Sequence, residues 1–204
     1  QRGGKVERNY VGNGPVAGVD EAGRGPWAGP VVAAAVILDP NAIPASIADS
    51  KVLMPEEREA IFPRIMASAK VGIGIADVAR IDRDNILNAT MWAMAEAVAG
   101  LSPAPRLVLI DGNRAPRLAM EARTIVKGDG RCLSIAAASI IAKVTRDRIM
   151  RRLDALHPRY GFSRHVGYIT PFHSAAVREH GPCEQHRLSY AAKCYAPVGL
   201  EPAA

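Results

Sequence analysis

The stretch Val16–Leu38, "VAGVDEAGRGPWAGPVVAAAVIL", reads as two strands joined by an unusual connection. Val16–Asp20 begins as a short buried strand. Asp20 and Glu21 then stand side by side, and Arg24 is flanked by Gly23 and Gly25. After Pro26 and Pro30 comes Val31–Leu38, a continuous apolar run bounded by prolines, which is a second strand. Two adjacent carboxylates at the end of an apolar strand repel each other and lose hydration. Such an arrangement calls for a cation.

The glycines admit a rival reading. Gly23, Gly25 and Gly29 come close to a dinucleotide-binding turn, but that turn must open a helix. Here prolines interrupt and a β-rich run follows. The acids would also lie where a pyrophosphate has to approach.

Further along, Lys70–Val78 alternates and reads as a third strand. Arg106–Ile110, "RLVLI", is a fourth, ending in the turn residues Asp111, Gly112 and Asn113. Arg123–Lys127 is a short fifth. Pro55–Ala69 is expected to be a helix broken at Pro63. Asp82–Ala99 has helical spacing at Ile86, Leu87, Met91 and Met94 and is expected to form one helix packed on the sheet. Ser134–Leu156 is the clearest helix, with Ile141, Val144, Ile149 and Leu153 on one face. Strands alternating with helices imply an α/β fold: a mixed sheet with helices packed on it. Past His157-Pro158 the composition shifts to a small helical C-terminal element.

With 204 residues the chain can bury one substantial core. Three cysteines, Cys132, Cys183 and Cys194, make an odd number without close repeated spacing, so a disulfide framework is not expected and a cytoplasmic location is. Cys183 and His186 have C-x-x-H spacing, but no second pair completes a zinc site. No apolar run reaches membrane-spanning length. Residues 1–102 carry ten Lys and Arg against twelve Asp and Glu, whereas residues 103–204 carry sixteen against eight. The basic second half suits a polyanionic partner.

Two strands end in aspartate, at Asp20 and Asp111. If these strands are neighbours, Asp20, Glu21 and Asp111 converge. Asp129, in "VKGDGR" before the long helix, is a fourth acid. All-oxygen ligands select hard divalent ions, Mg²⁺ or Mn²⁺.

The segments "VAGVDEAGRGPWAGPVVAAAVIL", "DSKVL", "LVLIDGN", "KGDGRCLSIAAASIIAKVTRDR" and "YGFSRHVGYITPFH" follow one another as in bacterial ribonuclease HII, and the chain resembles that family from about Val16 to about Tyr190. The resemblance implies a ribonuclease H-like fold, with a five-stranded mixed sheet flanked by helices and a C-terminal helical extension. It divides the chain into a flexible segment 1–15, a catalytic domain 16–157, a helical element 158–195 contributing to the substrate site, and a flexible tail 196–204.

The resemblance also implies an endoribonuclease that hydrolyses RNA in RNA–DNA hybrids and cuts at single ribonucleotides in duplex DNA; a monomer is expected. The four catalytic, metal-binding acids fall on Asp20, Glu21, Asp111 and Asp129. The ribose-reading motif falls on Gly23, Arg24 and Gly25, and the tyrosine that works beside it on Tyr168. Products would carry 5′-phosphate and 3′-hydroxyl ends.

Lys51, Lys143 and Arg146 are candidate phosphate contacts, the last two sharing a helix face by their spacing of three. Arg148, Arg151 and Arg152 read as solvated surface, and each of the five histidines as a surface or packing residue. Two departures from the family pattern stand out. Val166 occupies a position where the family usually has lysine, so that a phosphate contact is either lost there or supplied by Arg164 or His165. Val52 occupies a position where lysine or a polar residue is common. Two rival functions remain: a catalytically silent hybrid-binding protein that has lost an acid, and a metal nuclease acting on DNA junctions. The presence of all four acids disfavours the first; Gly23-Arg24-Gly25 with Tyr168 disfavours the second.

Overall fold

The computed structural model describes residues 14–195. The proposed flexible tail 196–204 and most of segment 1–15 lie outside the described residues. Strands β1 (Val16–Ala22), β2 (Val31–Ile37), β3 (Lys70–Ala76), β4 (Leu107–Asp111) and β5 (Glu121–Ile125) form one sheet in the order β3-β2-β1-β4-β5. The β1–β2 and β2–β3 pairs are antiparallel, and β1–β4 and β4–β5 are parallel. The mixed sheet expected from the sequence is therefore present.

Strand β2, "VVAAAVI", is buried along nearly its whole length because helices cover both of its faces. Val31, Ala33 and Ala35 pack with Ala89, Ala93, Met94 and Ala97 of helix α3 (Ile86–Ala99). Ala34 and Val36 face the other way, against Ile61 and Ile65 of helix α1 (Pro55–Ser68) and Ala137, Ile140 and Ile141 of helix α4 (Leu133–Leu156). Small side chains in the middle of the sheet bring the helices close. At Gly18 of β1 an added Cβ would stand 2.2 Å from the Ser134 carbonyl carbon, so α4 lies directly on β1. That contact fixes α4 relative to the carboxylates at the end of β1.

Two helix boundaries differ from the sequence reading. Helix α1 runs through Pro63 without ending, with Ile61 and Ile65 buried on either side of it. The single helix expected over Asp82–Ala99 is two: α2 (Val78–Asp84) and α3. Asn85, at φ 70°, turns the chain between them, and its side chain accepts the Asn88 N–H at 2.9 Å. This is an N-cap, and it starts a new helix where hydrophobic periodicity alone predicts continuity.

The C-terminal element contains the short helix α5 (Phe162–His165) and helix α6 (Pro171–His180). Phe162, Tyr160, Val177 and Cys194 pack around Ala28 and Met150, forming an apolar cluster between the 23–30 connection and α4. Among the described residues, no helix is long and apolar enough to cross a membrane.

Candidate active site

The carboxylates converge because β1 and β4 are parallel neighbours. Val19 is paired with Ile110, so Asp20 and Asp111 come next to each other at the same end of the sheet. Asp111 accepts the Gly128 N–H through Oδ1 at 2.6 Å, tying this strand end to the turn that carries Asp129. Asp20 is buried, only 7% exposed, and its Oδ1 accepts the Glu21 N–H at 2.8 Å. Burial raises the Asp20 carboxyl well above the ordinary carboxylate range, and the charges of Glu21 and Asp111 push it further. Burial likewise raises Glu21, against the pull of Arg24, whose Nη1 is 3.7 Å from Glu21 Oε1. Glu21 Oε2 is buried and has no hydrogen-bond partner among the described residues. An acceptor left bare amid mutually repelling acids fits a cation.

Lys51 Nζ lies 3.2 Å from Asp129 Oδ1, placing Lys51 at the margin of the acid cluster. Beside it a cleft is lined by Glu21, Gly23, Lys143, Arg146, Val166 and Tyr168. Tyr168 is half exposed, and an added Cβ at Gly25 would lie 3.3 Å from its ring. The ring therefore covers Gly25, and glycine lets the two approach. Gly23 has φ 98°, and a Cβ there would strike Arg146 Nε at 2.1 Å.

Arg146 differs from its expected place. It lies on α4 three residues from Lys143, but it is 3% exposed and its guanidinium is committed to protein. It donates to the carbonyls of Pro30 at 2.9 Å, Val166 at 2.7 Å and Ala28 at 2.9 Å. Burial and the nearby Arg187 charge pull it down to about 10. It lines the cleft, but each of its three guanidinium nitrogens already donates to a main-chain carbonyl. His165, offered as a stand-in for the missing lysine, is also engaged: Nε2 is 2.6 Å from the Tyr160 carbonyl and Nδ1 accepts the Gly167 N–H. Arg164 is exposed beside Phe172. Val166 itself adopts φ 47°, a left-handed conformation that a β-branched residue rarely takes. Arg148 and Arg151 are not merely solvated, since both pair with Glu59.

Sequence reasoning passed over Arg187, in "QHRLSY". It is fully buried and fans onto five carbonyls of the glycine connection: Gly23 at 2.6 Å, Pro26 at 2.7 Å, Gly29 at 2.9 Å, Arg24 at 3.1 Å and Pro30 at 3.2 Å. Main-chain bonds from Trp27 N–H to the Gly167 carbonyl and from Arg187 N–H to the Trp27 carbonyl add to this tie. The segment from Gly23 to Pro30 is thus held from below by two arginines.

The histidines of the C-terminal element form a second ordered group. His173 Nδ1 faces the Tyr168 carbonyl at 2.9 Å, so it carries the proton, and Nε2 must accept from His186 Nε2 at 2.9 Å. His186 Nδ1 then accepts the Cys183 N–H. His165 stacks on His173 at 4.1 Å. The network is complete with every ring neutral. Burial, with the stacked His165 adding to it, lowers His173 to about 4.

A folded-state value below the ordinary 6.5 means that the unfolded chain takes up protons first as pH falls. The stabilisation is therefore whole above pH 6.5 and lost from there down towards pH 4. Urea unfolding should show about 1–2 kcal/mol lost between pH 7 and pH 5 from this residue. His173→Gln should reduce that slope by this amount, leaving the share of His186, which burial also lowers to about 4; an unchanged slope in the variant would mean that other groups cause all of it.

The family model for ribonuclease HII matches residues 17–193. The ribonuclease HII of Azorhizobium caulinodans is 59% identical over 189 residues, covering 92% of this chain and 73% of its own. The chain belongs to the ribonuclease HII family. The ribonuclease HII of Bordetella pertussis is 55% identical over 177 residues, 86% of this chain and 88% of the relative. Among solved structures, the ribonuclease H2 of Pyrococcus horikoshii superposes with a TM-score of 0.72 at 26% identity, covering 88% of this chain and 94% of that one. The ribonuclease H-like fold expected from the sequence is borne out. As a ribonuclease HII, the chain is a metal-dependent endoribonuclease that cleaves RNA–DNA hybrids and duplex DNA at embedded ribonucleotides.

Proposed function

We propose that Asp20, Glu21, Asp111 and Asp129 are the catalytic acids, and that they hold Mg²⁺ or Mn²⁺. The bare, buried Glu21 Oε2 beside the repelled Asp20 carries this reading. Hard oxygen ligands without nitrogen or sulfur favour these ions. Bound there, the ions would activate water and neutralise the leaving oxygen, giving 5′-phosphate and 3′-hydroxyl products.

The chain's own groups choose where this chemistry falls. Gly23 and Gly25 present main chain without a Cβ, so the ribose can approach closely enough for its 2′-OH to be hydrogen-bonded. Tyr168, over Gly25, packs on the neighbouring deoxyribose, where a 2′-OH would crowd the ring. Lys51, at the acid cluster, and Lys143, in the cleft, meet phosphates. Arg24, half exposed, adds positive charge at the motif. Arg146 supports the motif from behind.

The test is Tyr168→Ala on a duplex containing one ribonucleotide and on an all-RNA hybrid strand. The single-ribonucleotide rate should fall by about tenfold or more relative to the hybrid rate, corresponding to about 1.4 kcal/mol of selective transition-state stabilisation. Because Tyr168 is half exposed, the melting temperature should barely move. Equal fractional losses on both substrates with a lowered melting temperature would reduce Tyr168 to a packing residue.

A further inference from the structure

Away from the carboxylates, three residues of different chemistry meet. His157 ends α4, and Cys183 and Glu184 lie in the loop after α6. The His157 ring nitrogen, the Cys183 sulfur and a Glu184 carboxylate oxygen all lie within 4.8 Å of one another. His157 Nε2 is 3.1 Å from Glu184 Oε1. Nitrogen and oxygen ligands at about 2.0 Å around a tetrahedral ion are separated by about 3.3 Å, so this edge is already set. Fourteen residues of helix, roughly 21 Å at 1.5 Å each, separate His157 from Lys143 in the cleft.

The C-x-x-H pair visible in the sequence is not the pair used. His186 turns inward, with Nδ1 accepting the Cys183 N–H and Nε2 on His173. That bond closes a tight turn at Cys183 and leaves its side chain beside His157.

We propose that His157, Cys183 and Glu184 form a zinc site separate from the carboxylate site, with water as the fourth ligand. Nitrogen, sulfur and oxygen donors together suit Zn²⁺, whereas Mg²⁺ takes oxygen alone. Binding takes Cys183 as thiolate, its proton going to solvent, and His157 as the neutral imidazole, its one ring proton sitting on the nitrogen away from the ion. No electron is transferred. The ion joins the end of α4 to the loop that carries Arg187, so it stabilises the C-terminal element.

Co²⁺ titration of the whole chain under reducing conditions tests this. A thiolate-to-cobalt charge-transfer band should grow to one equivalent, and Zn²⁺ but not Mg²⁺ should displace it. The band should persist in Asp20→Asn, because carboxylate-bound cobalt has no thiolate. Cys183→Ser should abolish it, and His157→Gln should weaken cobalt binding by about 100-fold. In the Asp20→Asn background zinc should raise the melting temperature when Cys183 is present but not when it is replaced by serine, and both should melt alike in chelator. The absence of a band at saturating Co²⁺, or a band of full strength in Cys183→Ser, would overturn the site. Cleavage in Mg²⁺ should be the same in Cys183→Ser as in wild type.

Discussion

Asp111→Asn is expected to lose about a thousandfold or more in cleavage of a single-ribonucleotide duplex, about 4 kcal/mol at the transition state. The substitution removes a charge and little else. Asp111 Oδ1 accepts the Gly128 N–H at 2.6 Å, and the amide oxygen of asparagine can accept it in the same place. The strand end and the turn carrying Asp129 should therefore stay joined. Asp20→Asn should lose as much activity, for the same reason. It should also melt higher than wild type in chelator, because the wild-type carboxylate is buried and repelled by Glu21 and Asp111. Relieving about 1 kcal/mol of that repulsion corresponds to a few degrees in a chain of this size. Single-turnover cleavage and thermal melts check both outcomes. Near-wild-type cleavage by Asp111→Asn would refute the assignment of the acids, and a lower metal-free melting temperature for Asp20→Asn would refute the charge argument.

The elements legible in the sequence share a physical property: their signal is local. Strand β2 could be read because an apolar run between prolines has few other destinies. The acid pair could be read because two strands end in aspartate, and their pairing then decides the geometry. Helix α4 could be read from its periodicity. What escaped depends on partners distant in sequence. Pro63 looks like a break, but α1 continues through it with Ile61 and Ile65 buried on either side. Lys143 and Arg146 have the spacing of one face, yet Arg146 turns to carbonyls more than a hundred residues away. Arg187 had even less to announce it, since a carbonyl leaves no mark in a sequence. A fold supplied those acceptors, and only the fold shows them.

Arg187 is therefore the residue whose replacement should be most damaging outside the acids. Its five carbonyl partners belong to Gly23, Arg24, Pro26, Gly29 and Pro30, which include two of the three residues proposed to read the ribose. Burial lowers its affinity for a proton, but guanidinium is basic enough to stay charged there. Hydrogen bonds from a charged donor are about twice as strong as neutral ones, and each carbonyl left bare in the interior costs about 1–3 kcal/mol.

Arg187→Met should destabilise the chain heavily, and a low melting temperature alone would say only that Arg187 packs well. Arg187→Lys separates the two roles. It keeps the charge and the stem, but an ammonium has three donors at one point and cannot span the same fan of acceptors. The connection should then stay in place while losing its precise shape. Single-turnover cleavage at an embedded ribonucleotide should fall by about 100-fold, whereas affinity for the same duplex, measured with Ca²⁺ in place of Mg²⁺, should change by less than about threefold. A loss of about 2.7 kcal/mol confined to the transition state is the mark of a positioning residue. Arg146 shares the Pro30 carbonyl, so Arg146→Lys should show the same split, and the double variant should lose less than the product of the two. Wild-type cleavage by Arg187→Lys, or an equal loss in binding and cleavage, would leave the arginine fan as packing alone.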